Sequence, residues 1–170
     1  KGILLNIDQI VYPAAGDCAG LVSAQLGQIA QSESAWKLIF NGVTMSGYEG
    51  KGIGLATIND SFRSSYVWLT NTQGQYERDP VMARLGSSLN SDRYLVGWRT
   101  MNDGTHWLAV INGSGAFLAG PEEVSSAGIL WGTRDDSFRT RPDGSVSWLQ
   151  VDASTGVLRL FRFDGSGFVP

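Results

Sequence analysis

One short motif occurs twice in this 170-residue chain, and it limits the possible folds more than any other feature. Thr57-Ile58-Asn59-Asp60-Ser61-Phe62-Arg63 matches Thr133-Arg134-Asp135-Asp136-Ser137-Phe138-Arg139, 76 residues on. Each copy follows a Gly-Ile pair, Gly52-Ile53 and Gly128-Ile129. A second match runs in the same order: Trp36-Lys37-Leu38-Ile39-Phe40-Asn41-Gly42 and Trp107-Leu108-Ala109-Val110-Ile111-Asn112-Gly113, 71 residues apart. Two matches in one order point to a tandem of two halves, approximately 14–90 and 91–170, within a single β-repeat domain spanning 1–170.

Each half divides again. Trp36 to Gly42, Tyr66 to Gly74, Trp107 to Gly115 and Val157 to Gly167 share one pattern, an apolar or aromatic strand followed by Asn or Asp and a glycine turn. Asn and Asp close Asx-turns and glycine supplies positive φ, so these segments read as hairpins. Strand-like runs precede them at Gly20–Ala24, Ser61–Arg63, Tyr94–Trp98 and Ser145–Leu149. The expectation is an all-β chain of about four β-meander, blade-like units of about 40 residues, a propeller or partial propeller. Residues 19–31 offer a helical alternative, but Gly20 and Gly27 weaken it and the apolar spacing fits a helix only loosely, so a strand is expected there.

Composition agrees. There are 22 glycines, six Trp, five Tyr and seven Phe, which suit short strands joined by tight turns. Hydrophobic residues make up 42% and charged residues 17%, which excludes a disordered chain. The net charge of −3 and scattered arginines provide no basic stripe, so nucleic acid is not an expected partner. No apolar run is long enough for a membrane-spanning helix. The chain opens on Lys1 rather than Met, so an upstream region is expected. Cys18 is the only cysteine and cannot form an intramolecular disulfide. The compartment stays open, with a secreted or periplasmic setting slightly favoured.

The Pro142-Asp143-Gly144 turn followed by Ser145-Val146-Ser147-Trp148-Leu149 resembles the Pro-Asp-Gly hairpin and apolar strand of TolB-type propeller blades. Asn102-Asp103-Gly104-Thr105-His106-Trp107-Leu108-Ala109 is a looser version. The chain thus resembles β-propeller repeat proteins, TolB-type and lectin-like, without the Trp-Asp, kelch or Asp-box signatures of better-known classes. The resemblance implies a propeller architecture. Four units could close a small ring or form part of a larger one. An incomplete ring would expose sheet faces and edges, so a homodimer or a complementary propeller fragment is an expected partner.

The residues suited to chemistry are few. His106 is the only histidine, no Gly-x-Ser-x-Gly elbow occurs, and no catalytic residue is assigned. One His and one Cys do not make a zinc site, and no metal or cofactor is expected; Asp135-Asp136 and Asn59-Asp60 are read as turn caps before calcium ligands. Gly50-Lys51-Gly52-Ile53-Gly54 lacks the ending of a phosphate loop and reads as a hairpin link. Asp60, Asp136, Glu122 and Glu123 are the carboxylates a glycoside hydrolase would draw on.

The repeated Asp-Ser-Phe-Arg remains. Its structural reading puts Phe in the core, Asp on a turn and Arg against a carboxylate. Its functional reading is a ligand site in each half, made of Asp60, Arg63, Asp136 and Arg139 with Trp98 and Trp131 as stacking platforms. The expected function is a non-catalytic binding module for a small molecule, glycan or peptide. A glycoside hydrolase-like enzyme and a structural fragment that pairs with another chain are the alternatives.

Overall fold

The computed structural model describes residues 25–42, 52–61, 64–70, 75–132, 137–152 and 154–166. The described chain is all-β. Its strands are β1 (Gln25–Gln31), β2 (Ala35–Gly42), β3 (Gly52–Asn59), β4 (Ser64–Trp68), β5 (Glu77–Leu85), β6 (Arg93–Thr100), β7 (His106–Asn112), β8 (Phe117–Glu123), β9 (Arg139–Thr140), β10 (Val146–Val151) and β11 (Leu158–Phe163). They form three antiparallel meanders in chain order: β1 to β4, β5 to β8, and β9 to β11. Among the described residues there are therefore three units, not four. Their second strands start at Ala35, Arg93 and Val146, so the units follow one another at intervals of more than fifty residues rather than the expected interval of about 40. Glycine-rich β3 adds a strand to the first unit. Read from sequence as a linking hairpin, it pairs with β2 from Gly42↔Gly52 to Ala35↔Asn59.

The expected turn chemistry is present. Asn112 Oδ1 accepts from Ser114 N at 3.1 Å and Ser114 Oγ at 2.7 Å. Asp143 holds Ser145 in the same way, Asp152 holds Ser154, and Asp164 holds Ser166. An Asx side chain two residues before a serine mimics a turn of backbone and fixes each hairpin. In the 19–31 stretch the described part is strand β1, not helix.

Successive side chains along a strand point to opposite faces, and both faces of the middle sheet are largely buried over β5 to β7. One face packs on the first sheet, with Ile39, Ile53, Leu55 and Leu69 meeting Met82, Tyr94, Val96 and Trp98. The other packs on the third, with Val81, Ala83, Leu95, Leu108 and Val110 meeting Phe138, Val146 and Trp148. Each fully buried aliphatic or aromatic side chain contributes about 1.5–3 kcal/mol. The first strand of each meander lies innermost: β1 packs along β5, and β5 also touches β9. The last strands lie outermost, and β8 is exposed along its whole length.

Two bulges shape this inner contact. β1 carries an extra residue between Leu26 and Ile29, and β5 is irregular between Arg78 and Val81. Asp79 takes a left-handed φ of 54°, which Asp tolerates better than most residues. Pro80 costs the ladder no hydrogen bond because it sits in the bulge. Gly27 lies against it, and a Cβ there would overlap the Pro80 carbonyl and come within 2.6 Å of Ile39 Cγ2.

Candidate functional site

The inner strands converge on Gln28. Its position in the β1 bulge turns the carboxamide toward the other two sheets. Oε1 accepts from Met82 N of β5 and from Phe138 N just before β9, both at 3.2 Å. Nε2 donates to Phe138 O at 2.8 Å. One side chain thus ties all three sheets together.

Beside this clasp opens a groove of about 340 Å³. Its polar lining comes from Gln28 and Gln31 of β1, Arg84 of β5, and Arg139 and Thr140 of β9; Leu89 and Ile29 add exposed apolar surface. Arg84 is positioned by its Nη1, which donates to Gln31 O at 2.7 Å, and by Thr140, whose hydroxyl bonds Arg84 O at 2.7 Å. Arg139 also lines an adjoining cavity of about 460 Å³ with Arg141, Ser147 and Trp148, so it stands where the two hollows meet. Guanidinium and carboxamide donors spread along a groove suit an anionic or hydroxyl-rich ligand.

The opposite end of the inner strands carries a polar network. Asn41 Nδ2 donates to Glu77 O at 2.9 Å, and Thr70 hydrogen-bonds the Glu77 carboxylate. Burial raises the Glu77 pKa above the usual glutamate range, while the Thr70 hydroxyl and other donors oppose the shift. Asp79 pairs with Arg99 Nη2 at 2.9 Å and Arg78 Nε at 3.3 Å, and its backbone N donates to Gln25 Oε1 at 2.8 Å. His106 is buried edge-on against Trp131, centroids 4.6 Å apart. Burial lowers its pKa, and backbone hydrogen bonding and the charges of Asp79 and Glu123 resist that only in part. Gln25, Asn41 and Thr70 thereby tie the first sheet to Glu77 and Asp79 of the second, while the Arg78 and Arg99 side chains stay partly exposed.

The sequence-derived site residues do not gather in one place. Arg139 lies in the groove. Asp60 sits in the exposed β3–β4 turn, on the first sheet. Arg63 and Asp136 lie outside the described residues, as does Cys18. Trp98 and Trp131 are corrected: both are core residues, 2% and 6% exposed, and neither is a surface platform. Trp98 fills the contact between the first two sheets. Trp131 lies over Gly97 and heads an aromatic run through Phe138, Trp148 and Phe161. The two motif copies also differ in setting, one ending a third strand and the other entering an innermost strand. Glu122 and Glu123 are on exposed β8, a different sheet from Asp60.

Gln28, Gln31 and Arg84 were missed from sequence. Their signal was Gln25-x-x-Gln28-x-x-Gln31, three carboxamides in an otherwise apolar strand. Among the described residues no group of three His, Cys, Asp or Glu side chains could hold a metal ion, and no helix is long and apolar enough to cross a membrane. Comparisons with protein-family models, curated proteins and solved structures return no match.

Proposed function

We propose that this chain is a ligand-binding module, built from consecutive units of a propeller-like array, whose inner groove takes an acidic oligosaccharide or a similar anionic, hydroxyl-rich ligand. The observation that carries this reading is the placement of Arg84 and Arg139, from two different sheets, in one groove with Gln28 and Gln31. Guanidinium groups form paired hydrogen bonds to carboxylates, and the Gln31 carboxamide bridges neighbouring hydroxyls, while Gln28 is held in the clasp that shapes the groove. The groove stands at the inner ends of the sheets, where propeller-like arrays leave a central opening. Its donors hold a ligand in place and supply no nucleophile.

Isothermal titration with uronic-acid oligosaccharides, and with neutral ones of equal length, tests the reading. The acidic series is expected to bind, and Arg139→Ala and Arg84→Ala are each expected to weaken binding about tenfold or more. Equal affinity for the neutral series, or unchanged binding by both variants, would overturn it.

A further inference from the structure

Arg139 joins the groove to the adjoining cavity of about 460 Å³. It pairs with Ser147, and Ser147 pairs with Arg162. Residues paired in register share a face of the sheet. These three therefore lie on the face of the third sheet opposite Val146 and Trp148, which pack on the middle sheet. Alternation puts the pair Leu149 and Leu160 on that same face. Arg141, two residues beyond Arg139, also lines the cavity, roughly 7 Å further along the chain.

The two hollows repeat one composition. The groove offers the Arg84 guanidinium, the Gln31 carboxamide and the exposed side chain of Leu89. The cavity offers Arg141, Ser147 and the exposed side chains of Leu149 and Leu160. Each thus has a positive charge, a hydrogen-bonding group and an aliphatic wall, and each has the volume of a small-molecule site by itself. Arg139 stands between them. The charge in the cavity is not cancelled from within. Asp143, whose carboxylate feels Arg141, is already paired with Arg162 Nη2 at 2.8 Å and accepts from Ser145 N at 3.0 Å and Ser145 Oγ at 2.6 Å.

We infer that the cavity is a second subsite for the ligand of the groove and takes the next acidic sugar of the same chain. The carboxylate of that sugar meets Arg141, a hydroxyl meets Ser147, and the C–H face of the ring lies against Leu149 and Leu160. This rests on the reading of the groove as a ligand site and narrows it. The ligand is a run of consecutive charged units read along its length, with Arg139 between two neighbours, and not a single terminal acid.

Isothermal titration of the intact chain with a homologous series of galacturonic-acid oligomers, from the dimer to the hexamer, tests this. Wild-type affinity is expected to rise about tenfold or more between the shortest and longest members, as a further carboxylate gains a guanidinium. In Arg141→Ala most of that gain should disappear. Arg84→Ala should instead weaken every oligomer and keep the gain. Leu160→Glu alters an exposed side chain, places a like charge in the cavity and should also remove the gain. Circular dichroism checks that the variants fold. Wild-type affinity that ignores chain length would overturn the inference and leave the groove reading standing. So would a gain that survives both Arg141→Ala and Leu160→Glu. No binding of any oligomer would overturn the two together.

Discussion

Gln28 and Phe138 exchange a pair of hydrogen bonds across the molecule's centre, Gln28 Nε2 donating to Phe138 O at 2.8 Å and Phe138 N donating to Gln28 Oε1 at 3.2 Å. The carboxamide acts as a piece of backbone. It fills the place a ladder partner would take between innermost strands that do not pair directly. Gln28→Leu leaves these groups and Met82 N without partners while keeping much of the side-chain volume. Urea denaturation should show a loss of about 2–3 kcal/mol, the cost of stranding buried amide groups. An unchanged midpoint would show that the clasp contributes nothing.

Gly27 is needed for space, not for an unusual backbone angle. Gly27→Ala puts a methyl group into the Pro80 carbonyl and against Ile39. Neither the backbone nor the packed isoleucine can yield without parting the first two sheets. A loss of about 3 kcal/mol is expected, near the upper end for overpacking. Gly132 is the control, because a methyl group added there would meet no atom within 4 Å. Gly132→Ala should leave the thermal midpoint within a degree or two.

Glu77 should erode stability as pH rises. Its folded-state pKa is raised, chiefly by burial, so folding favours the neutral acid. That contribution is complete below the ordinary glutamate range and disappears as pH climbs through the raised value. Glu77→Gln retains an oxygen acceptor for Thr70 and cannot ionise. Its stability relative to wild type should improve between pH 4 and pH 8. Parallel wild-type and variant curves across that range would refute this.

His106 acts in the opposite sense. Its pKa is lowered by burial, so its stabilising share is present above the ordinary imidazole range and is lost as pH falls through the lowered value. His106→Phe preserves an aromatic edge for Trp131 and removes the proton. The variant should flatten the decline in stability on the acid side of pH 6.5, measured by denaturation at pH 7.5, 6.5 and 5.5. A decline as steep as that of the wild type would assign the acid sensitivity to other groups.

The strands most readable in the sequence were those with strong local signals. β6 and β7 are apolar runs closed by Asp-Gly and Asn-Gly turns, β10 is one opened by Asp143-Gly144, and the Asx hydrogen bonds of these turns formed as expected. β5 and β8 escaped notice because Pro80 and Pro121 interrupt them, and nothing local shows that a bulge absorbs Pro80. The duplicated Asp-Ser-Phe-Arg overstated the symmetry. Short motifs recur wherever a turn needs Asp or Asn and a core needs Phe, and here the two settings differ. The groove was hardly legible at all. Arg84 and Gln28 lie far apart in the chain and meet only because two bulges steer β1 onto β5.

The Gln28–Phe138 clasp spans 110 residues, whereas each sheet is a meander of neighbouring strands. This sets an order of assembly during synthesis. The first and second sheets can form from local contacts as they emerge. Until residue 138 follows, the Gln28 carboxamide has half its partners, and the middle sheet's Leu95, Leu108 and Val110 face lies bare to solvent. The nascent chain is therefore most prone to sticking to its neighbours late, when two of its three sheets are already folded and the last has yet to arrive.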